Sequence, residues 1–149
     1  MSILFSFDTE IYPIQAGILA PPLVCASIAQ EAPGSERLLS AAQTRTWFRE
    51  TLRKPDVQLT GTNLAYDLGI MCEGDPRLVD AVFSAAEADR VHDVTIREAL
   101  LDIAQGLHGV DPETGHPLGD DEGARYPLAL LVRRHLALDI SADKHAPDA

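Results

Sequence analysis

The order of patterned segments predicts an α/β protein, a sheet with helices packed on it: strand, strand, helix, strand, helix, then further helices. Three observations carry that reading. Ile3 to Phe7 and Leu23 to Ala29 are short apolar runs of strand length. Ser40 to Leu52 instead repeats Thr44, Trp47, Phe48 and Leu52 at helical spacing. With 46% hydrophobic residues in a chain of 149, a sizeable core can be buried, and the length fits one domain over residues 1–149.

The first strand is the element around which the others are read. Its apolar run ends abruptly at Asp8 and Glu10, two residues apart and so on one face of an extended strand. Neighbouring carboxylates repel and desolvation adds to the penalty, so the pair calls for compensation, most directly by a divalent cation. Ile11 to Pro22 reads as an irregular link, since Pro13, Pro21 and Pro22 forbid a regular element. Leu23 to Ala29 is near-continuously apolar, the pattern of a strand buried on both faces. A Pro33-Gly34-Ser35 turn leads to the helix of Ser40 to Leu52, where Trp47 and Phe48 read as core and Lys54-Pro55-Asp56 as the stop.

Val57 to Thr60 alternates as a strand, and Gly61-Thr62-Asn63 turns into a helix beginning near Leu64. On it Asn63 and Asp67 stand one helical turn apart on one face, while Leu64, Leu68 and Met71 line another. Asp67 is thereby presented away from the apolar stripe. Asp75-Pro76 is a start signal for a helix through Leu78, Val79, Val82, Phe83 and Ala86. Asp93, after Val91-His92, reads as a strand end or helix entry ahead of Thr95. Thr95-Ile96-Arg97-Glu98 has the form of a capping box, for a helix carrying Leu100, Ile103 and Leu107 inward. Residues 108–124, rich in glycine and proline and holding Asp120-Asp121-Glu122, read as a solvated loop. Tyr126-Pro127 opens a last helix with Leu128, Leu131, Val132 and His135 or Leu136 inward, and Arg133-Arg134 at the end that suits cations.

A net charge of −11 argues against nucleic acid at face value, because phosphate binding is driven by clustered Lys and Arg. Metal-binding acids, or phosphate contacts made by another domain, would relieve that objection. Cys25 and Cys72 form no Cys-x-x-Cys pair and read as free thiols. With no apolar stretch long enough to span a bilayer and no signal-peptide layout, a cytoplasmic location and no membrane partner are expected. The five histidines show no ligand spacing.

Phe7-Asp8-Thr9-Glu10 resembles the first motif of the DEDD 3′–5′ exonucleases, an Asp-x-Glu after a strand. Gly61-Thr62-Asn63-Leu64-Ala65-Tyr66-Asp67 is similar to their second, an Asn-x-x-x-Asp on the following helix, about 57 residues further on. The likeness is to the DnaQ-like proofreading exonuclease domain of bacterial and phage family A DNA polymerases, and the segment from Tyr126 to Pro147 extends it. The resemblance implies a Ribonuclease H-like mixed sheet flanked by helices. It implies that Asp8, Glu10 and Asp67 are catalytic and ligate one or two Mg²⁺ or Mn²⁺ ions, with Asn63 orienting substrate or a water. Thr9 and Ile14 would lie against the terminal nucleotide. The implied partners are a single-stranded DNA 3′ end and a polymerase domain in the same or another chain.

Two positions depart from the pattern. Ile11 replaces the threonine that usually follows the Asp-x-Glu. The third motif, a Tyr or His followed four or five residues later by Asp, is matched in spacing by His135 and Asp139, which stand where the family has its preceding helix. The third motif is therefore expected beyond Ala149, which makes the fold C-terminally incomplete. The alternative is a catalytically inactive Ribonuclease H-like module that binds nucleic-acid ends or a polymerase partner. Asp8 and Glu10 as a plain exposed strand end, and Asp67 as a surface acid, are the bland readings of the same residues.

Overall fold

The computed structural model describes residues 2–18, 20–110 and 126–140. The chain divides into two compact units, Met1–Val94 and Thr95–Ala149. The physical reason is the distribution of apolar contacts: the main core cluster is drawn entirely from positions between Phe7 and Ala85.

In the first unit β1 (Ile3–Ile11), β2 (Leu23–Gln30), β3 (Arg37–Ser40), β4 (Val57–Gly61) and β5 (Val91–Asp93) form one sheet in the order β3-β2-β1-β4-β5. The antiparallel neighbours β1, β2 and β3 follow one another through short links. β4 runs parallel to β1, and β5 parallel to β4. Parallel pairing needs crossovers, and these are supplied by α1 (Ala41–Leu52), then by α2 (Leu64–Gly74) and α3 (Val79–Glu87) joined through a 3-10 turn at Pro76–Leu78. The mixed α/β sheet expected from the sequence is therefore present.

Along β1 the side chains alternate. Phe7 is buried while Ser6, Asp8 and Glu10 are exposed on the other face. Phe7 stacks on Trp47 with ring centroids 5.7 Å apart and tilts against Phe48 at 5.3 Å. Each such side chain taken out of water contributes about 1.5–3 kcal/mol. Trp47 and Phe48 are thus core, as their helical spacing indicated. α1 starts where Ser40 meets Gln43, whose Oε1 accepts from the Ser40 N–H at 3.0 Å and from its hydroxyl at 2.9 Å. At the other end Arg90 donates to the carbonyls of Leu52, Lys54 and Val57, which ties the exit of α1 to the start of β4.

Three expectations need correction. β3 lies inside a stretch read only as a turn leading into a helix; its four residues are too few to show a period. β2 is not buried on both faces, because Val24 is exposed and burial along the strand is uneven, as in a sheet covered on one side. The helix after β5 does not turn Leu100 and Ile103 inward.

That helix, α4 (Val94–Gln105), and α5 (Leu128–Leu136) form the second unit's described structure. The buried residues of α4 are the acids Glu98 and Asp102, while Leu100 and Ile103 are exposed. Arg134 on α5 donates to Glu98 Oε1 at 2.5 Å and to Asp102 Oδ1 at 2.9 Å, and His135 Nε2 lies 2.9 Å from Glu98 Oε2. Glu98 is occupied by these contacts. On α5 Leu131 is buried, whereas Leu128 and Leu136 are exposed. Asp120-Asp121-Glu122, most of the glycine-rich stretch and the polar end of the chain lie outside the described residues.

Candidate active site

Four chain segments of the first unit meet at the end of β1: the last residues of β1, β4 and β5, and the first turn of α2. Gly61 is what lets β4 close in. A Cβ built there would stand 2.6 Å from the carbonyl oxygen of Phe7, so only glycine fits beside the residue that precedes Asp8. The chain then reverses through Asn63, which takes a left-handed backbone (φ 55°), a conformation Asn tolerates better than most residues. The Asn63 side chain makes no cap. Instead the carboxylate of Asp93, at the end of β5, accepts the Leu64 N–H at 2.8 Å and caps α2 from another strand.

One turn further along α2, Asp67 points at β1. Its Oδ1 accepts the backbone N–H of Thr9 at 3.1 Å and also the Thr9 hydroxyl. The expectation that Asp67 is presented away from the apolar stripe is not met: the residue is only 4% exposed and is buried against the strand along with Leu64, Leu68 and Met71. Burial pushes its pKa up. The Thr9 hydroxyl opposes that shift, the negative charge of Asp8 adds to it, the Thr9 amide opposes it and Asp93 adds to it again; the net is a value of about 6. Desolvation likewise raises the pKa of Asp8.

The structure brings Asp67 to Thr9, and close enough to Asp8 for the two charges to interact. Glu10 stands two residues beyond Asp8 on the exposed face, just before a register irregularity between Glu10 and Ile11. Among the described residues no three His, Cys, Asp or Glu side chains close into a set that could hold a metal ion. The chemistry of Asp8 and Asp67 nonetheless fits a hard divalent cation. Both are oxygen donors, neither has a cationic partner among the described residues, and Asp67 Oδ2 accepts no hydrogen bond there. Ile14 is exposed in the link after β1. His135 belongs to the second unit and is engaged with Glu98.

Two residues escaped the sequence reading. The role of Asp93 as a cap for α2 could not be read from a helix it precedes by sequence but does not cap. Tyr66, beside Asp67, has a buried hydroxyl without a hydrogen-bond partner. Nothing in its position on an apolar helix distinguishes it from a core aromatic.

No family model matches the chain, and no curated protein sequence matches it. Among solved structures it is similar to the crystal structure of the EXO domain of Nibbler from Aedes aegypti, with 12% sequence identity and a TM-score of 0.58. The match covers 96% of this chain and 63% of that one, so the chain spans less than two thirds of the neighbour's length. At this identity the likeness speaks to architecture alone, and it agrees with the α/β fold of the chain, a mixed five-stranded sheet flanked by helices.

Proposed function

We propose that the chain is a divalent-metal-dependent 3′–5′ exonuclease domain that hydrolyses phosphodiesters at the 3′ end of single-stranded DNA, in the manner of a polymerase proofreading domain. One observation carries the reading: Asp67 is buried, fixed by Thr9 and set beside Asp8, with no cationic side chain given to either among the described residues. Acids used only to stabilise a fold are normally paired, and neighbouring acids left without a counter-charge are a signature of function.

Asp8 and Asp67 would hold the cation, with Glu10 joining from the same strand face as Asp8. A bound Mg²⁺ or Mn²⁺ would offset their repulsion, polarise the scissile phosphate and lower the pKa of an attacking water. The chain's own residues supply positioning. Thr9 donates twice to one oxygen of Asp67, which fixes the rotamer and leaves the other oxygen free to act as a ligand. Asp93 holds the first turn of α2, and with it the register of Asp67 against β1. Asn63, at the helix start, is one turn from Asp67 and would contact the substrate's end, while Thr9 and the exposed Ile14 would flank the terminal nucleotide. The preference for DNA rests on the resemblance of the two motifs to proofreading exonucleases, and a polymerase domain in the same or another chain is the proposed partner.

The test uses 5′-labelled single-stranded DNA and RNA of one sequence with Mn²⁺. Stepwise shortening of the DNA from its 3′ end, lost in Asp8→Ala and in Asp67→Asn, is the expected result. Equal digestion of a strand with a blocked 3′ end, or digestion unchanged in both variants, would overturn the proposal. Faster shortening of the RNA would keep the exonuclease and overturn the proofreading assignment.

A further inference from the structure

The basic residues of this acidic chain are not scattered evenly. Arg45, Arg49 and Arg53 follow one another at intervals of four along α1 and its C-terminal cap, one stripe advancing about 6 Å per step. Where α2 gives way to the 3-10 turn, Arg77 joins them. Two of the four, Arg49 and Arg77, meet on one acid, Asp75. Arg77 donates to its carboxylate at 2.7 and 3.0 Å, and Arg49 at 2.8 Å. Asp75 is buried, and these guanidinium groups hold its carboxyl far below the usual range.

A single carboxylate cannot balance four guanidinium groups. Arg45 rests over the backbone of Gly74, within 3.4 Å of where a Cβ there would stand, and neither Arg45 nor Arg53 has an ion-pair or hydrogen-bond partner among the described residues. Glu73 and Asp80, on neighbouring turns, form no ion pair with them. Arg49, Arg53, Asp75 and Arg77, with Leu78 and Ala81, line a pocket of about 180 Å³. That is smaller than the roughly 300–1,000 Å³ typical of small-molecule sites. An anion the size of a phosphate group suits it. Four guanidinium groups around one carboxylate leave three surplus positive charges in this cluster, in a chain whose net charge is −11.

We infer that Arg45, Arg49, Arg53 and Arg77 form a phosphodiester-binding track that carries the body of a single-stranded nucleic acid away from the Asp8–Asp67 pair. The direction follows from topology. α1 begins at Ser40, whose strand partner Cys25 is in turn the partner of Glu10, so the helix starts at the acid end of the sheet and leads away from it. Guanidinium forks suit phosphate oxygens bidentately, and Asp75 pre-orients two of them so that less side-chain freedom is lost on binding. The track rests on the exonuclease reading for its substrate but not for its chemistry.

The experiment measures binding of a fluorescein-labelled oligothymidine by anisotropy, in EDTA, across a salt series. Arg45→Ala with Arg53→Ala removes two guanidinium groups that make no ion pair, so the fold is kept, as thermal unfolding of the variant checks. Affinity should fall about tenfold, and the slope of log Kd against log salt should shrink by about 1.4, for two lost contacts on a single strand. The Arg45→Lys, Arg53→Lys variant should recover most of the slope. Hydrolysis of the p-nitrophenyl ester of thymidine 5′-monophosphate, which has one phosphodiester and cannot reach the track, should be unchanged in Mn²⁺. Unaltered affinity and slope, or equal binding of polyglutamate with the same arginine dependence, would overturn the track. Arginine-dependent binding in a protein that digests no strand would sink the exonuclease reading alone, and digestion with arginine-independent binding would sink the track alone.

Discussion

Two pairs of acids in this chain are treated in opposite ways. Glu98 and Asp102 are buried on α4 and met by Arg134 and His135, so that Arg134 holds the Asp102 carboxyl below its usual range. Asp8 and Asp67 are given no cation among the described residues; one is buried, both are raised by desolvation, and the charge of Asp8 adds to the difficulty of ionising Asp67. The first pair is a clasp, complete in itself. The second is the proposed site, held by Thr9 and the surrounding sheet, and it would gain most from a charge supplied from outside. The difference teaches that burial alone does not mark a functional acid; burial without a counter-charge does.

The comparison can be broken from either side. The largest effect expected is on catalysis. Asp8→Asn with Asp67→Asn should lower 3′ digestion by on the order of 10³-fold or more, some 4 kcal/mol in the barrier, while the protein stays folded by circular dichroism. A double variant that unfolds would show that these acids hold the sheet together, as the clasp acids hold their helices. Next comes the cation. At about a hundred times its Kd, Mn²⁺ should stabilise the wild type by ~2.7 kcal/mol, read as a higher thermal midpoint, and should leave the double variant unmoved. A shift of equal size in both would place the ion elsewhere.

Arg134→Ala attacks the clasp. It takes the guanidinium from two buried acids and leaves Glu98 only His135 and Asp102 only Tyr126, at a cost of about 2 kcal/mol once the partial exposure of Arg134 is allowed for, and should appear as faster amide exchange in α4 and α5 with β1 unaffected. Loss of protection in β1 as well would make the two units one cooperative body.

The acid pairs also differ in their response to pH. Asp67 holds its proton more tightly folded than unfolded, so its contribution is greatest below the unfolded value near 4 and is lost as pH rises through about 6. Asp67→Asn should therefore gain about 1–2 kcal/mol over the wild type at pH 7, after discounting for solvent screening, and nothing near pH 4. Asp102 runs the other way: its carboxyl is depressed in the fold, so its contribution is present above the unfolded value and disappears as pH falls through the folded one. Asp75, held low by Arg77 and Arg49, has the same sign as Asp102, which is why the difference between wild type and Asp67→Asn is the quantity to measure. A pH-independent difference would mean that Asp67 is not strained in the fold. The smallest effect belongs to Asp93→Ala, which removes the cap of α2 at about 1 kcal/mol and should loosen the first turn carrying Asn63 without melting α4.

What was legible in the sequence was whatever depends on short-range pattern. The aromatic spacing of α1, the strand ending in Asp8 and Glu10, and the Asn-x-x-x-Asp helix could each be read because a period of two or three and a half residues is local. What could not be read depends on which faces meet. Asp67 lies three residues after Leu64 and four before Met71, so it shares the buried side of α2 with them, and the pairing with Asn63 one turn earlier hid that. β3 was too short to show a period. α4 inverted the usual rule, burying Glu98 and Asp102 because Arg134 and His135 meet them from a helix more than thirty positions away. The Asp93 cap is the same kind of long-range exchange.

That cap bears on the order in which the chain acquires its shape. α2 follows β4 directly, yet the group that satisfies its first amide is supplied 29 residues later, by a strand that must first add itself to the sheet's edge. Closing so long a loop is slow compared with forming a helical turn. Nascent α2 therefore has a frayed beginning until β5 docks, and Asn63 and Asp67 sit in that turn. The acid pair is complete only when β1, α2 and β5 have all come together, three elements from separate parts of the chain.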